Sequence, residues 1–356
     1  MRAALQRRPG GPEGLVIRDV LVPQPGPDEV GIRIHAAAFN RLDVLQLGTP
    51  ILPGFRLPHI AGLNFAGEII ATDSGINGYR VGTRVIVNPQ FTSRAGGEKP
   101  VILGGNAAGG FAEQCSVPAV NAQALPDALP LPRSRCLSHR LCHRLARAVR
   151  RRSAKARAVA AGSGAGSALT LAARQFADGS GAQVIVSGRD RGKLARAERL
   201  GAAITASSRT DDIADIARTE TNGQGIDLVF DHAGATTIAT SLQSLRPEGT
   251  LVVAGHTSGD QARVTSLAAL FHIGITIKGA GPTFTCVPVI DTIGRLHKLP
   301  AFCQRLFDGH SGGKLLNTPS QALHRHLECL HLRGTAPTHL PLLCPSTISS
   351  AHPSKE

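Results

Sequence analysis

Beyond residue 157 the chain alternates short apolar runs with stretches of helical spacing. The alternation opens with a turn of almost nothing but small residues, Ala160-Ala161-Gly162-Ser163-Gly164-Ala165-Gly166-Ser167. Strands are expected at 158–161, 183–187, 203–206, 226–230, 249–254 and 273–278, and helices at 167–176, 191–200 and 211–220. Successive strands separated by a helix lie parallel, because the crossover returns the chain to the edge it left. The expected class is therefore α/β, with a doubly wound parallel sheet.

The opening turn carries the first chemical signal. Gly162, Ser163, Gly164, Ala165 and Gly166 lie where a strand becomes a helix. Small residues there let backbone approach a pyrophosphate, and a helix N-terminus supplies free N–H groups and positive potential. A tight strand–helix turn without a ligand is the plainer reading. About 20 residues on, dinucleotide sites that take NAD place an acid to hold the ribose hydroxyls. Here the second strand ends in Ser187-Gly188-Arg189-Asp190-Arg191-Gly192-Lys193. Ser187 followed by Arg189 and Lys193 suits a 2′-phosphate, so NADPH is the expected cofactor. A register change that brought Asp190 to the ribose would favour NADH, and a solvated helix start would favour neither.

The first 125 residues have a different texture. Strand-like runs at 15–22, 29–37, 59–71, 84–87 and 111–117 are separated by Gly- and Pro-rich turns, the pattern of an irregular barrel or sandwich. With 356 residues, two domains are expected.

A net charge of +14 would ordinarily suggest nucleic acid or an anionic membrane as partner. Its distribution argues against both. Residues 128–177 hold ten Arg and one Lys with no Asp or Glu, which leaves +3 for the other 306 residues. There is no Trp and a single Tyr to stack on bases. No apolar run approaches the length of a membrane span. Met1 to Gly14 has no apolar core of a secretory signal, so a cytoplasmic protein is expected. The seven Cys are widely spaced without a Cys-x-x-Cys pair and read as free thiols.

Several motifs occur together and in order: Gly10-Gly11-Pro12-Glu13, Ala36-Ala37-Ala38-Phe39-Asn40-Arg41-Leu42-Asp43, 57–68 (LPHIAGLNFAGE) and Val81-Gly82-Thr83-Arg84-Val85. Further on come Asp227-Leu228-Val229-Phe230-Asp231-His232-Ala233-Gly234 and 245–255 (LRPEGTLVVAG). Over about 1–127 and 158–280 the chain resembles the medium-chain dehydrogenase/reductase superfamily. The resemblance implies a GroES-like catalytic domain at 1–125, with part of 286–334 returning to it, and a Rossmann domain at 158–285. It adds Gly234, Gly255 and His256 to the cofactor site. Zinc-dependent members place a Cys ligand where this chain has Asn40 and a His-Glu pair where it has Leu63-Asn64. An amide and an aliphatic side chain cannot replace thiolate and imidazole around zinc, so no metal is expected.

The implied branch is the quinone-oxidoreductase-like one. Its reaction would be NADPH-dependent hydride transfer to a quinone or an α,β-unsaturated carbonyl, with Asn40 and Asp43 in the cleft. Asn40 could equally be a turn-capping amide. The expected partner is a small-molecule substrate, with a homodimer left open. Residues 126–157, an Arg-rich linker, depart from the family pattern as an out-of-frame stretch would, and residues 335–356 read as a disordered tail. Two alternatives therefore stand: a zinc-type alcohol dehydrogenase relative, and a cofactor-binding protein without activity.

Overall fold

The computed structural model describes residues 1–48, 52–73, 76, 78–92, 100–125, 159–167, 170–171, 182–262, 267–279 and 290–319. The expected linker at 126–157, the tail at 335–356 and most of the helix at 167–176 lie outside the described residues.

The N-terminal part is β-rich. Its strands are β1 (Arg2–Gln6), β2 (Leu15–Asp19), β3 (Glu29–Ala38), β4 (His59–Ile60), β5 (Asn64–Thr72), β6 (Arg84–Val87), β7 (Gln90–Thr92), β8 (Pro100–Ile102), β9 (Gln114–Pro118) and β10 (Ala122–Ala124). In β3, Val30, Ile32 and Ile34 are buried at a period of two while Arg33 is exposed, the pattern of a strand with one face on the core. It pairs antiparallel with β5 along one edge and with β9 along the N-terminal half of the other. At Gly67 of β5 the two chains come so close that a Cβ would stand 2.0 Å from the Arg33 carbonyl oxygen, so any larger residue would force them apart.

The expected single strand at 59–71 is two strands. Gly62 breaks it with φ +104°, and a Cβ there would meet the Phe111 nitrogen at 2.7 Å. The break lets β4 pair with β1 in one sheet while β5 joins β3 in another. Helix α1 (Arg41–Gly48) was not expected, since its polar and apolar residues are not segregated at helical spacing. Tertiary bonds hold it instead. Gln6 Nε2 donates to the carbonyls of Gln46 and Leu47 at 3.2 Å each. Asp43, fully buried, accepts from the Asn40 N–H (2.7 Å) and the Gly62 N–H (3.0 Å).

The second part is a six-stranded sheet: β11 (Val159–Ser163), β12 (Gln183–Gly188), β13 (Ile204–Ser207), β14 (Ile226–Asp231), β15 (Leu245–Val253) and β16 (Thr276–Gly279). All pairings are parallel, in the order β13-β12-β11-β14-β15-β16. Around it lie α2 (Arg191–Arg199), α3 (Ile213–Glu220), α4 (Ile238–Gln243) and α5 (Leu267–Ile273). Asp190 and Asp212 accept from the backbone N–H three residues on and cap α2 and α3. Two expected boundaries move. The strand placed at 249–254 begins at Leu245, with a register shift against β14, and the one placed at 273–278 begins at Thr276, because Ile273 still closes α5. The chain then returns: β17 (Ile290–Gly294) and β18 (Lys314–Asn317) flank α6 (Leu299–Phe307), and β18 pairs with the C-terminal end of β3. Cys115 and Cys303, the free thiols among the described residues, are buried in the first core.

Burial pushes the Asp43 carboxyl up to about 6, against the lowering effect of its two backbone donors and of Lys314. The folded protein thus holds this proton more tightly than the unfolded chain does. Between about pH 4 and 6 folding takes up a proton, and stability falls as pH rises through that window. In urea unfolding, Asp43 should cost about 2 kcal/mol on going from pH 4 to pH 7. Asp43→Asn should remove that component of the slope while losing stability at both pH values, because one of the two backbone donors loses its acceptor. An unchanged slope in the variant would contradict this.

Candidate functional site

Where the order of a parallel sheet reverses, the crevice beyond the strand ends is open to a ligand. Here the reversal lies between β11 and β14. Gly162 and Ser163 end β11, and Gly164, at φ +85°, turns the chain. The N–H groups of Gly164 and Ala165 then both donate to the Ser187 carbonyl near the end of β12, at 2.8 and 3.0 Å. A Cβ on Gly164 would stand 3.0 Å from the His232 ring, and one on Gly188 2.9 Å from the Ala165 Cβ. On Gly166 it would meet the Ser311 carbonyl oxygen at 2.9 Å. Backbone from β11, β12 and the 309–312 loop therefore meets in a space that side chains would close, and this cradle fits the pyrophosphate of a nicotinamide dinucleotide.

On the other side of the crevice, Asp231 ends β14. Burial raises its pKa, but four hydrogen bonds outweigh that and hold the carboxyl below the usual range. The donors are the Ala233 and Gly234 N–H groups (2.8 and 3.1 Å) and the Thr237 and Ser241 hydroxyls (2.7 Å each). This fixes the β14–α4 turn. Gly234 consequently packs on the exposed His256, whose Cα a Cβ on Gly234 would meet at 2.9 Å, while Gly255 packs on the His232 carbonyl. Gly234, Gly255 and His256 are thus gathered at one end of the sheet. Sequence reasoning quoted Asp231 only as part of a motif. An acid closing an apolar strand before small residues was the available signal of its organising role.

At the β12 end, Arg189 is exposed immediately past the strand. Asp190 Oδ1 accepts from the Lys193 N–H at 2.8 Å, so this carboxylate caps α2. The Lys193 ammonium donates to the Gly309 carbonyl, and its stem lies over Gly166. Lys193 therefore sits at the cradle, tied to the returning segment.

Asn40 and Asp43 belong to the other part of the molecule, at the junction of β3 and α1. Asp43 is enclosed and bonds only backbone and its near neighbours, whereas Asn40 is half-buried. Asn40 Oδ1 accepts from Asn64 Nδ2 at 3.0 Å and from the Lys314 ammonium, and Asn40 Nδ2 donates to the Ala38 carbonyl at 3.2 Å. Lys314 also donates to the Phe39 carbonyl at 3.3 Å. Lys314 was not anticipated, because 274 residues separate it from Asn40. The donor set does not suit zinc. Position 40 offers an amide oxygen already held by an ammonium, and a divalent cation there would be repelled. Among the described residues, no group of three or more His, Cys, Asp or Glu is placed to hold a metal ion.

The two halves of the site are joined by one short stretch. Gly309 meets Lys193, Ser311 meets Gly166, and Lys314 meets Asn40. Three residues of extended chain span at most about 11 Å, so Ser311 at the cradle and Lys314 at the Asn40 amide lie close together.

Comparison with known proteins agrees with this geometry. The profile of the alcohol dehydrogenase GroES-like domain matches residues 26–127, and that of the zinc-binding dehydrogenase matches 168–282. A 2-haloacrylate reductase of Burkholderia sp is 28% identical over 262 residues, covering 72% of this chain and 74% of that protein. A quinone oxidoreductase of Pseudomonas aeruginosa is 28% identical over 254 residues, covering 70% and 72%. Among solved structures, an NAD-dependent alcohol dehydrogenase superposes with a TM-score of 0.80 at 27% identity, covering 90% of this chain and 100% of that one. With a GroES-like part and a dinucleotide-binding sheet matched in that order, the chain belongs to the medium-chain dehydrogenase/reductase superfamily, whose members are oxidoreductases that bind NAD(P) and act on small molecules.

Proposed function

We propose that this oxidoreductase uses NADPH to reduce a quinone or an α,β-unsaturated carbonyl, and does so without zinc. The observation that carries the reading is the substrate end of the cleft. Where metal-dependent members would hold zinc, this chain presents the Asn40 amide, fixed by Asn64 and Lys314. Hydrogen bonds alone polarise a carbonyl less than a metal does. They suffice for acceptors whose incoming charge delocalises onto oxygen. A bound nicotinamide would supply hydride; the acceptor oxygen takes the electron pair, and a proton from solvent completes the product. The residues Gly162 to Gly166, Gly234, Gly255 and His256 would hold and orient the dinucleotide, which leaves the protein mainly a task of positioning. The names of the two relatives, a reductase of 2-haloacrylate and an oxidoreductase of quinones, point the same way.

NADPH is favoured over NADH by the end of β12. Its acid, Asp190, is engaged as a helix cap, and Arg189 is exposed beside it. Arg meets phosphate through charge-assisted hydrogen bonds stronger than a neutral contact to a ribose hydroxyl. The exposed edge strand β16, with Leu267 and Phe271 exposed on α5, favours a homodimer through that edge.

Three outcomes are expected. In fluorescence titration NADPH binds about 10- to 150-fold more tightly than NADH. Arg189→Ala removes most of that preference, whereas Asp190→Ala keeps it and lowers stability by about 1 kcal/mol through loss of the cap. An NADH preference that vanishes in Asp190→Ala would reverse the assignment. Next, NADPH oxidation by 1,4-benzoquinone survives prolonged chelation, and elemental analysis finds no stoichiometric zinc. Activity that falls on chelation and returns with zinc would refute the metal-free reading. Cofactor binding without turnover of any quinone or enone would leave a binding protein, not an enzyme of this class.

A further inference from the structure

We infer that the turn from Gly309 to Gly312 is a strap, latched across the dinucleotide cradle by Lys193 and Arg196 of α2, that lifts to admit the cofactor and that NADPH displaces more readily than NADH does. This rests on the dinucleotide-binding reading above and adds to it a gate.

The strap is a preformed piece of the returning segment. The chain reverses at Gly309, which has φ +73°. The Gly309 and His310 N–H groups donate to the Leu306 and Arg305 carbonyls at 3.3 and 2.8 Å. Asp291 Oδ2 accepts from the Gly312 N–H at 2.5 Å, and its Oδ1 accepts from the Arg305 guanidinium at 2.9 Å and from the Thr292 hydroxyl at 2.6 Å. Burial raises the Asp291 pKa, but these bonds outweigh it and hold the carboxyl below the usual range. Arg305 donates further to the Thr292 hydroxyl at 2.8 Å and to the His310 carbonyl at 3.5 Å. All of these partners belong to residues 291–312, so none of the bonds has to break when the turn moves with its segment.

To α2 the segment is tied, among the described residues, by two cation–carbonyl bonds. The Lys193 ammonium donates to the Gly309 carbonyl, and the Arg196 guanidinium donates to the Ile290 carbonyl at 3.2 Å. Arg196 also lies against the turn, its Nη1 3.2 Å from where a Cβ on Gly312 would stand. Beyond this latch, the carbonyl of the buried Ser311 roofs Gly166, where a Cβ would meet it at 2.9 Å.

Both strap carbonyls stand where anions are expected. Gly166 belongs to the turn fitted to a pyrophosphate, and Lys193 is a cation at the end of β12. The negative ends of two peptide dipoles, at Ser311 and Gly309, therefore occupy the two places that cofactor phosphates would take. At Gly166 the contest is for space, because backbone that leaves no room for a methyl group leaves none for a phosphate oxygen. At Lys193 the contest is for charge. An ammonium has three N–H groups, but a phosphate is the stronger acceptor and repels the carbonyl oxygen beside it. NADPH contests both places and NADH only the first. Arg196, one turn further along α2, acts on the strap alone.

The chain has no Trp, so one introduced indole reports on the strap. His310 is exposed on the turn, and His310→Trp places the probe there. NADP+ should shift the probe's emission at a rate that levels off at high NADP+, because lifting comes before binding. NAD+ should give the same shift only at higher concentration. With Arg196→Met added, the free protein should already emit like the bound form, and NADP+ should associate about 10-fold faster. Arg196→Gln serves the same purpose if the Met variant does not fold. An association rate that rises linearly with NADP+ and is unaltered by either Arg196 variant would overturn the strap. So would dinucleotide binding, followed by calorimetry, that leaves the probe unchanged. A shift with NAD+ and none with NADP+ would uphold the strap and overturn the NADPH preference. Binding confined to the Arg196 variants would uphold the strap as a barrier, and binding of neither dinucleotide to any form would overturn strap and cofactor reading together.

Discussion

Strand β3 is the constraint on which the rest of the structure depends. Its ten residues pair with β5 on one edge and with β9 and then β18 on the other, so three distant parts of the chain take their register from it. The apolar side chains of Val30, Ile32 and Ile34 anchor it in the core, and at Gly67 the neighbouring strand fits only because no side chain is present. A one-residue slip would turn the buried face to water. Because β3 runs directly into Asn40, the same register aims the amide of the candidate site.

Two buried carboxylates do comparable work on either side of the cleft, under different electrostatic terms. Asp231 receives four hydrogen bonds, which outweigh the cost of burial, so it stays ionised and rigidifies the β14–α4 turn. Asp43 receives two from backbone and is more deeply enclosed, so burial prevails and its carboxyl holds its proton more tightly. The difference lies in the number of donors within reach. Asp231 is followed by Thr237 and Ser241 on a helix that folds back over it, while Asp43 lies inside its own helix, where side-chain donors are few.

Much of the second part was legible from sequence because local rules dominate there. The Gly-rich turn and the strand–helix interval each act within a few residues of themselves. The errors lie where that locality fails. The run 59–71 looks like one strand, yet Gly62 divides it because Phe111, about fifty residues away, occupies the space. Helix α1 lacks a helical pattern and is held by Gln6 and Gly62, neither of which belongs to it. From sequence, Asp190 reads as a ribose ligand or as part of a solvated helix start. In the structure its Oδ1 accepts from the Lys193 N–H at 2.8 Å, a bond within its own turn.

By itself the sequence determined the class of the sheet, the small-residue turn after its first strand, the cations that follow β12, and the absence of thiolate and imidazole at positions 40 and 63. Those are statements of composition and short-range period, and no folding can alter them. Tertiary structure alone decided that Asn40 meets Asn64 and Lys314, that Asp43 is enclosed, and that the segment from Gly309 to Lys314 links both ends of the cleft. The physical reason is the antiparallel pairing of β18 with β3. It closes a loop of more than 270 residues, and the partners of such a contact are set by the register of the whole sheet, not by any pattern near either residue.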